Sequence, residues 1–509
     1  MRLESGINPE KKISNSPLDG GEITSFAGKV VKGSFWVLGL RLTNRALGLI
    51  RTFILARLLL PEDFGLIGVA TISISIIETF SQPGLGMALI QKKEAIQSYL
   101  DTAWTTSILR CLIIYIVLIL SAPYVAQFFE APEAKIVIQI FGLSVVIAGF
   151  RNIGIVYFLK ELDFKKQYLY ELSILLGNLG VALPAAFILR NVWALVLGGI
   201  AGSITRLIMS YVLHPFRPGL RFDKEKFGDL FRFGKWVFGS SILAFIISQG
   251  DDLFLGKMFG VAALGIYQMA FMVSNLPTTE TSNVISQVTF PAYSKIQNDL
   301  KRFGKAYLNV MKTIAFIATP FAGAIFIFSS DLVRLFLSEK WLAVAPIVKV
   351  LVWAGLVKAL IDATSSVFNA AGKPKVNTKW QLINFLVLGL LIYPLSKNWG
   401  VIGVSIAVLA SNTTAAFVSI YEANKILGFE FNKLLKLIAI PLLSMLASIF
   451  FVSWFRDFLY YEKLIELLLL VISGGLLYII LILLLDRIFN YGMTTLIKES
   501  IISLLTARS

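Results

Sequence analysis

The sequence predicts an all-α integral membrane protein of about 14 transmembrane helices: two six-helix lobes related by internal duplication, plus two C-terminal helices. Three observations carry this. First, 56% of the 509 residues are apolar and only 15% are charged, with a mean hydropathy of +0.76, where soluble chains carry about a quarter charged residues. Second, apolar runs long enough to cross roughly 30 Å of hydrocarbon recur along the whole chain. Third, the first six runs are echoed by the next six. Such a build suits a protein that moves a substrate across the bilayer.

In chain order, residues 1–30 are polar, with Asn8, Pro9, Pro17 and Gly20-Gly21, and read as a cytosolic tail without the apolar stretch of a signal peptide. Apolar segments follow at 33–56, 64–90, 103–123, 136–158, 171–189 and 192–213, an N-terminal lobe of 31–216. A basic loop, 217–232, joins it to segments at 236–256, 261–289, 308–329, 344–370, 380–396 and 399–421, a C-terminal lobe of 233–425. Two extra helices occupy 426–486, and 487–509 form a second cytosolic tail. Alternate loops carry the cations: Lys92 and Lys93, Lys160, Lys165 and Lys166, Arg217, Arg221, Lys224, Lys226 and Arg232 lie on one side. The opposite set, with Lys135, Arg190, Lys257, Arg334 and Lys397, is poorer. The bias puts both termini in the cytoplasm. It also accounts for the +16 formal charge, so no nucleic-acid partner is implied.

The duplication is read from an ordered series of matches. At a shift of 200 residues Trp36-Val37 and Gly39 meet Trp236-Val237 and Gly239, Arg57 meets Lys257, Gly65 meets Gly265 and Ala70 meets Ala270. The register then slips: Ser81-Gln82 meets Ser286-Gln287, Phe128 meets Phe336, Arg151 meets Lys358 and Asn191 meets Asn398. Six spans is an even number, so the halves keep one orientation and are related by an axis along the membrane normal.

Ionisable groups within spans are costly and are read first as functional. On the first span Arg41, Asn44, Arg45, Gly48, Arg51 and Thr52 share one face within about 120°. Three guanidiniums there would hold phosphate through bidentate hydrogen bonds; the plainer alternative is that they neutralise acids on neighbouring helices. Arg51-Thr52 correspond to Asp251-Asp252. These acids are either one side of an inter-lobe ion pair, a cation or proton site, or solvated groups at a span end. Glu78 and Glu280 lie in matched polar stretches near Pro83 and Pro277, which reads as cavity lining, locally broken helix or hydroxyl-rich packing. Arg151 and Lys358, with Asp362 one turn beyond, form a second basic pair, and Arg206 is a weaker candidate. The run Gly198–Gly202 reads as a close helix contact.

Cys111 and His214 are single residues of their kind, so no disulfide framework, Cys/His metal cluster or Cys/His catalytic pair is expected. They read as a core cysteine and an interfacial histidine. The chain has no Gly-x-x-x-x-Gly-Lys-[Ser/Thr], no His-Glu-x-x-His and no Gly-x-Ser-x-Gly, so neither ATP hydrolysis nor those hydrolytic chemistries is expected. No cofactor, metal or catalytic residue is assigned.

Three strings carry a family resemblance: Ile54-Leu55-Ala56-Arg57-Leu58-Leu59-Leu60-Pro61-Glu62-Asp63-Phe64-Gly65, Gly84-Leu85-Gly86-Met87-Ala88-Leu89-Ile90-Gln91, and Asp251-Asp252-Leu253-Phe254-Leu255-Gly256-Lys257 with Gly265-Ile266-Tyr267-Gln268 after it. They resemble the polysaccharide transporter family, the Wzx-type flippases and exporters of lipopolysaccharide, colanic acid and teichuronic acid. The resemblance spans roughly 30–425. It implies the multidrug/oligosaccharidyl-lipid/polysaccharide transporter fold in a bacterial plasma membrane, working by alternating access on polyprenyl-diphosphate-linked oligosaccharide, alongside polymerase and export machinery. It also implies a transporter and not an enzyme. A cation-coupled drug exporter of the same superfamily and a membrane glycosyltransferase or polymerase are the alternatives.

Overall fold

The computed structural model describes residues 39, 43–81, 96–161, 163–457, 463–489 and 491–495. They are helical throughout, apart from short connections. Helix α1 covers 43–58 and α2 Pro61–Ser81; α3 is Gln97–Phe128; α4 (Ala134–Phe141), α5 (Leu143–Gly149) and α6 (Val156–Lys160) form one bent segment; α7 is Phe164–Leu189 and α8 Trp193–Leu213. The run Lys224–Ile296 divides at Gly260 into α9 (224–259) and α10 (261–296). Then come α11 (Leu300–Leu332) and α12 (Val344–Ala370), and the run Lys375–Leu427 divides at Gly400 into α13 (375–399) and α14 (401–427). The chain closes with α15 (Phe431–Arg456) and α16 (Lys463–Phe489).

Among the described residues ten helical runs are long and apolar enough to cross a membrane, or eleven with the bent segment. This differs from the expected fourteen because each glycine-divided run counts once and α1 shows only its C-terminal part. A straight helix of 53 residues would measure about 80 Å, against roughly 30 Å of hydrocarbon. The arms instead lie antiparallel: Asn384 Nδ2 donates to Asn412 Oδ1 at 2.8 Å and Lys379 Nζ meets Glu422 Oε1 at 2.5 Å. The same holds for α9 and α10, where Tyr267 Oη donates to Asp251 Oδ2 at 2.6 Å. Gly260 (φ 81°) and Gly400 (φ 57°) supply the left-handed backbone that such reversals require. Helix α10 continues through residue 277, so no helix break occurs at Pro277. Many helices also outrun their apolar segments, because hydropathy marks the hydrocarbon-facing part while backbone hydrogen bonds carry the helix on into polar surroundings.

The segment Ala134–Lys160 bends by 72° between α5 and the turn Ile153–Ile155. Asn152, fully buried and extended, causes it. Its backbone N–H donates to Ser210 Oγ at 3.0 Å, its Oδ1 accepts from Gly154 N at 2.9 Å, and its Nδ2 donates to the carbonyl of Phe216 at 2.7 Å. The side chain thereby replaces the helix hydrogen bonds lost at the bend.

The two lobes interlock at one end by exchanging hairpin tips. Phe53, Ala56 and Phe64 join the core around Trp341 and Val348 in the C-terminal lobe; Leu253, Val261 and Leu264 join the core around Leu118 and Val137 in the N-terminal lobe. Helices α2 and α10 cross on repeat-equivalent glycines. A Cβ on Gly65 would lie 1.7 Å from the Val261 carbonyl oxygen, and one on Gly265 would lie 2.0 Å from that of Pro61. Basic residues clasp the same end. Arg57 Nη2 donates to the Leu335 carbonyl, at the turn of π-helix Val333–Leu337, and Trp341 Nε1 donates to the Ala56 carbonyl at 2.7 Å. On the other side Lys257 Nζ meets Glu130 Oε1 at 3.0 Å and sits 5.3 Å from the Phe128 ring. Arg57 and Lys257 are the repeat mates read from the sequence.

Helices α15 and α16 pack against α11. Arg456 bridges Asp331 (3.0 Å) and Glu466 (3.3 Å) at one end. At the other, Lys312 Nζ donates to the Gly492 carbonyl at 3.2 Å. Between these anchors lies an apolar cavity of about 370 Å³ bordered by Phe316, Pro320, Phe321, Met445 and Tyr478.

Candidate functional site

Four elements of the N-terminal lobe bring charged side chains to one region around Glu78 of α2. Arg110 of α3, Arg206 of α8 and Arg151 at the bend lie within electrostatic reach of its carboxylate. Ser75, Glu78, Thr79 and Arg110 line a polar cavity of about 250 Å³, and Arg110 Nη1 reaches Ser81 Oγ at 3.5 Å. Arg151 and Arg206 also lie within reach of the buried Tyr170 hydroxyl on α7. Arg206 Nε is buried with no hydrogen-bond partner among the described residues. Three guanidiniums about one carboxylate leave a net positive field, with donors available to an anion.

Of the predicted face on α1, Arg41 lies outside the described residues, as does the side chain of Glu280 on α10. Asn44, Arg45 and Arg51 are half-buried and Thr52 is buried. Arg51 Nη1 donates to Asn178 Oδ1 of α7 at 3.0 Å, and Thr52 Oγ1 to its own helix at Gly48 O at 2.9 Å. Arg51 therefore faces the interior of its own lobe. The small-residue packing of α8 makes room there: a Cβ on Gly198 would meet Ala182 at 2.5 Å and one on Gly202 would meet Asn178 at 3.3 Å.

The corresponding acids sit differently. Asp251 is 7% exposed and held by Tyr267, while Gln268 Nε2 donates to Asp252 Oδ2 at 3.1 Å. Asp251 is buried and Asp252 half-buried, and among the described residues neither forms an ion pair with Arg51. Gln268 in turn stands against Gly68 of α2, where an added Cβ would lie 2.6 Å from its Oε1, so one amide touches both the carboxyl pair and the inter-lobe crossing. Lys358 and Asp362 form an i,i+4 pair on α12 at 3.6 Å, whereas Arg151, the repeat mate of Lys358, stands at the bend. Sequence reasoning passed over Arg110. Its signal was present, as a single arginine inside the apolar run 103–123. Among the described residues no group of three or more His, Cys, Asp or Glu side chains forms a metal-binding cluster.

An all-α, two-lobed membrane protein with interlocked hairpins, a basic region in one lobe and a carboxyl pair in the other has the build of a transporter. The profile of a family described as "Polysaccharide biosynthesis protein" matches residues 54–346, and the chain belongs to that family. Over 417 residues it is 24% identical to the lipopolysaccharide biosynthesis protein WzxC of Escherichia coli (strain K12), covering 81% of this chain and 85% of that one. It is 22% identical to the succinoglycan biosynthesis transport protein ExoT of Rhizobium meliloti (strain 1021), covering 65% and 67%. Its fold is similar to that of the lipid II flippase MurJ in an inward closed conformation, with a TM-score of 0.71 at 16% identity over 90% of this chain and 99% of that one.

Proposed function

We propose that the protein moves polyprenyl-diphosphate-linked oligosaccharide repeat units across the bacterial plasma membrane by alternating access, for surface polysaccharide biosynthesis. The observation that carries the reading is Arg110 in the polar cavity beside Glu78, with Arg151 and Arg206 within electrostatic reach of that carboxylate and with Arg45 and Arg51 on α1. A diphosphate is the head group that several guanidiniums bind bidentately. The relatives named for lipopolysaccharide and succinoglycan biosynthesis support the substrate class.

In this reading Arg41, Asn44, Arg45, Arg51, Arg151 and Lys358 serve the head group together with Arg110 and Arg206. Glu78, Asp251, Asp252, Glu280 and Asp362 serve coupling or gating. The interlocked hairpin tips close one end of the pathway, and access alternates when the crossing of α2 and α10 loosens and the opposite end closes. Gln268 links the Asp252 carboxyl to that crossing, so a change of charge at the acid pair is transmitted to the lobes. The polyprenyl chain runs in the apolar cavity between α11, α15 and α16. Both termini are cytoplasmic, the lobes are 31–216 and 233–425, and delivery is to polymerase or export machinery on the other face. The protein is a carrier and makes or breaks no covalent bond.

The test is a transbilayer assay in proteoliposomes with defined lipid-linked oligosaccharides. Transport of the diphosphate-linked substrate, lost in Arg110→Gln, supports the reading. Equal activity of that variant, or transport of cationic drugs in place of the lipid, overturns it. Elongation of the sugar chain without translocation would make the protein a polymerase instead.

A further inference from the structure

The segment joining the lobes, residues 214–223, is non-helical and stitched along the N-terminal lobe where α8 ends. Alternate backbone N–H groups donate to α3: Gly219 to Asp101 Oδ1 at 2.9 Å, Arg221 to Thr105 Oγ1 at 3.1 Å and Asp223 to Thr102 Oγ1 at 3.3 Å. Asn152 holds the carbonyls of His214 and Phe216. With these N–H groups turned inward, Leu220 and Phe222 are left 75% and 57% exposed, flanked by exposed Arg217, Arg221 and Lys224. A strap carrying large apolar side chains between cations, at the level where a membrane span stops, is matched to the interface between acyl chains and head groups.

Arg217 opens the groove beside it. Its Nη1 donates to the carbonyls of His214 (2.8 Å) and Phe216 (3.0 Å), and its guanidinium lies 5.6 Å from the Tyr211 ring. This pins one edge of the group and leaves the Nε–Nη2 edge without a protein acceptor among the described residues. From that edge a groove of about 700 Å³ runs up the outside of the lobe between Phe150, Leu207, Ile208, Tyr211 and Val212. Ile208 and Val212 are exposed on the face of α8 turned to lipid.

We propose that this strap and groove bind an anionic phospholipid of the adjoining leaflet, its phosphate on the free edge of Arg217 with Arg221 beside it and one acyl chain in the groove. The occupant follows from the chemistry: a fixed guanidinium selects phosphate, the apolar walls select an acyl chain, and the surrounding cations favour a lipid of net negative charge. The site is separate from the arginines around Glu78 and does not depend on the transport reading. Because the strap is the covalent join between the lobes, a lipid held there anchors the N-terminal lobe at the interface.

Full-length protein in detergent is titrated with phosphatidylglycerol or phosphatidylcholine and bound lipid is counted by native mass spectrometry. Phosphatidylglycerol is expected to bind at least fivefold more tightly than phosphatidylcholine, and Arg217→Gln with Arg221→Gln to abolish that preference. Ile208→Trp, which fills the groove and keeps the charges, is expected to weaken both lipids. Arg110→Gln serves as a control and should leave the preference intact. Equal affinity for the two lipids, an unchanged preference in the double variant, or displacement of phosphatidylglycerol by polyprenyl diphosphate with the same residue dependence would each overturn the assignment.

Discussion

The α1–α2 and α9–α10 hairpins occupy matching places in the 200-residue sequence repeat and differ in instructive ways. The first turns at Pro61, at the start of α2, with the Asp63 carboxylate accepting the Leu60 N–H at 2.8 Å; the second turns on the left-handed backbone of Gly260. Midway along the outgoing arms, Arg51 and Thr52 in one stand where Asp251 and Asp252 stand in the other. What stayed alike is the crossing, with glycine at 65 and 265. Contact geometry between the lobes tolerates no added atom, whereas the lining of each lobe was free to take opposite charge.

The largest effect is expected where the halves are alike. Gly65→Leu and Gly265→Leu each place a side chain against a carbonyl of the other hairpin, and overpacking of this kind costs about 1–3 kcal/mol or more. Both variants should unfold at lower temperature in a thermal melt and lose transport. Loss in one with tolerance in the other would break the equivalence of the two crossings. Next come the charges that differ. Arg110→Gln and Arg206→Gln should each cut transport of a diphosphate-linked substrate about tenfold to a hundredfold, the range of a hydrogen bond to a charged group. Asp251→Asn, which keeps a partner for Tyr267, should leave head-group binding intact and reduce the response to an imposed ion gradient.

Smaller effects are expected at the clasp. An exposed ion pair contributes about 0–1 kcal/mol and a hydrogen bond about 0.5–1.5 kcal/mol, so Lys257→Met and Arg57→Met should each shift the population open at this end by up to about tenfold. Spin-label distances between positions Glu62 and Lys340 would read it, and a shift from only one of the two substitutions would show that the clasp is lopsided. The smallest concerns pH. His214 Nδ1 accepts the Phe216 N–H at 3.2 Å; burial first, then Lys166 and Arg217, hold its pKa below the ordinary 6.5, with Glu161 opposing. The unfolded chain therefore takes up this proton first. Stability conferred by the neutral ring is complete above about pH 6.5 and declines as pH falls through the lower folded-state value. Protection factors at 219–223, corrected for the intrinsic pH dependence of amide exchange, should fall in that window, and His214→Asn, which retains an acceptor, should remove the dependence.

The two-lobed helical build was legible because hydropathy and the 200-residue repeat are properties of the chain itself, and the repeat pointed at Gly65 and Gly265 before their contact was known. The acids at 251 and 252 were legible as charge within an apolar segment, with their surroundings left open. Their partners Tyr267 and Gln268 were not, since nothing local says that residues 16 apart will face each other across a hairpin. The bend at Asn152 was hidden for the same reason: its amide is satisfied by Ser210, His214 and Phe216, some 60 residues on. The Arg57 half of the clasp rests on carbonyl oxygens, which every residue carries, so Arg57 gave no sign of its acceptor. Arg110 was legible and overlooked, a lone cation in an apolar run.

The reciprocal contact of Gly65 with Val261 and of Gly265 with Pro61 is the contact that two identical subunits make across a two-fold axis. A pair of separate, identical half-chains joined in this way would have to carry the same charge at both copies of position 51. Fusion through the strap at 214–223 removes that obligation. The covalent join keeps the symmetry of a dimer where the halves touch and permits arginine on one side and aspartate on the other, an asymmetry of which no homodimer is capable.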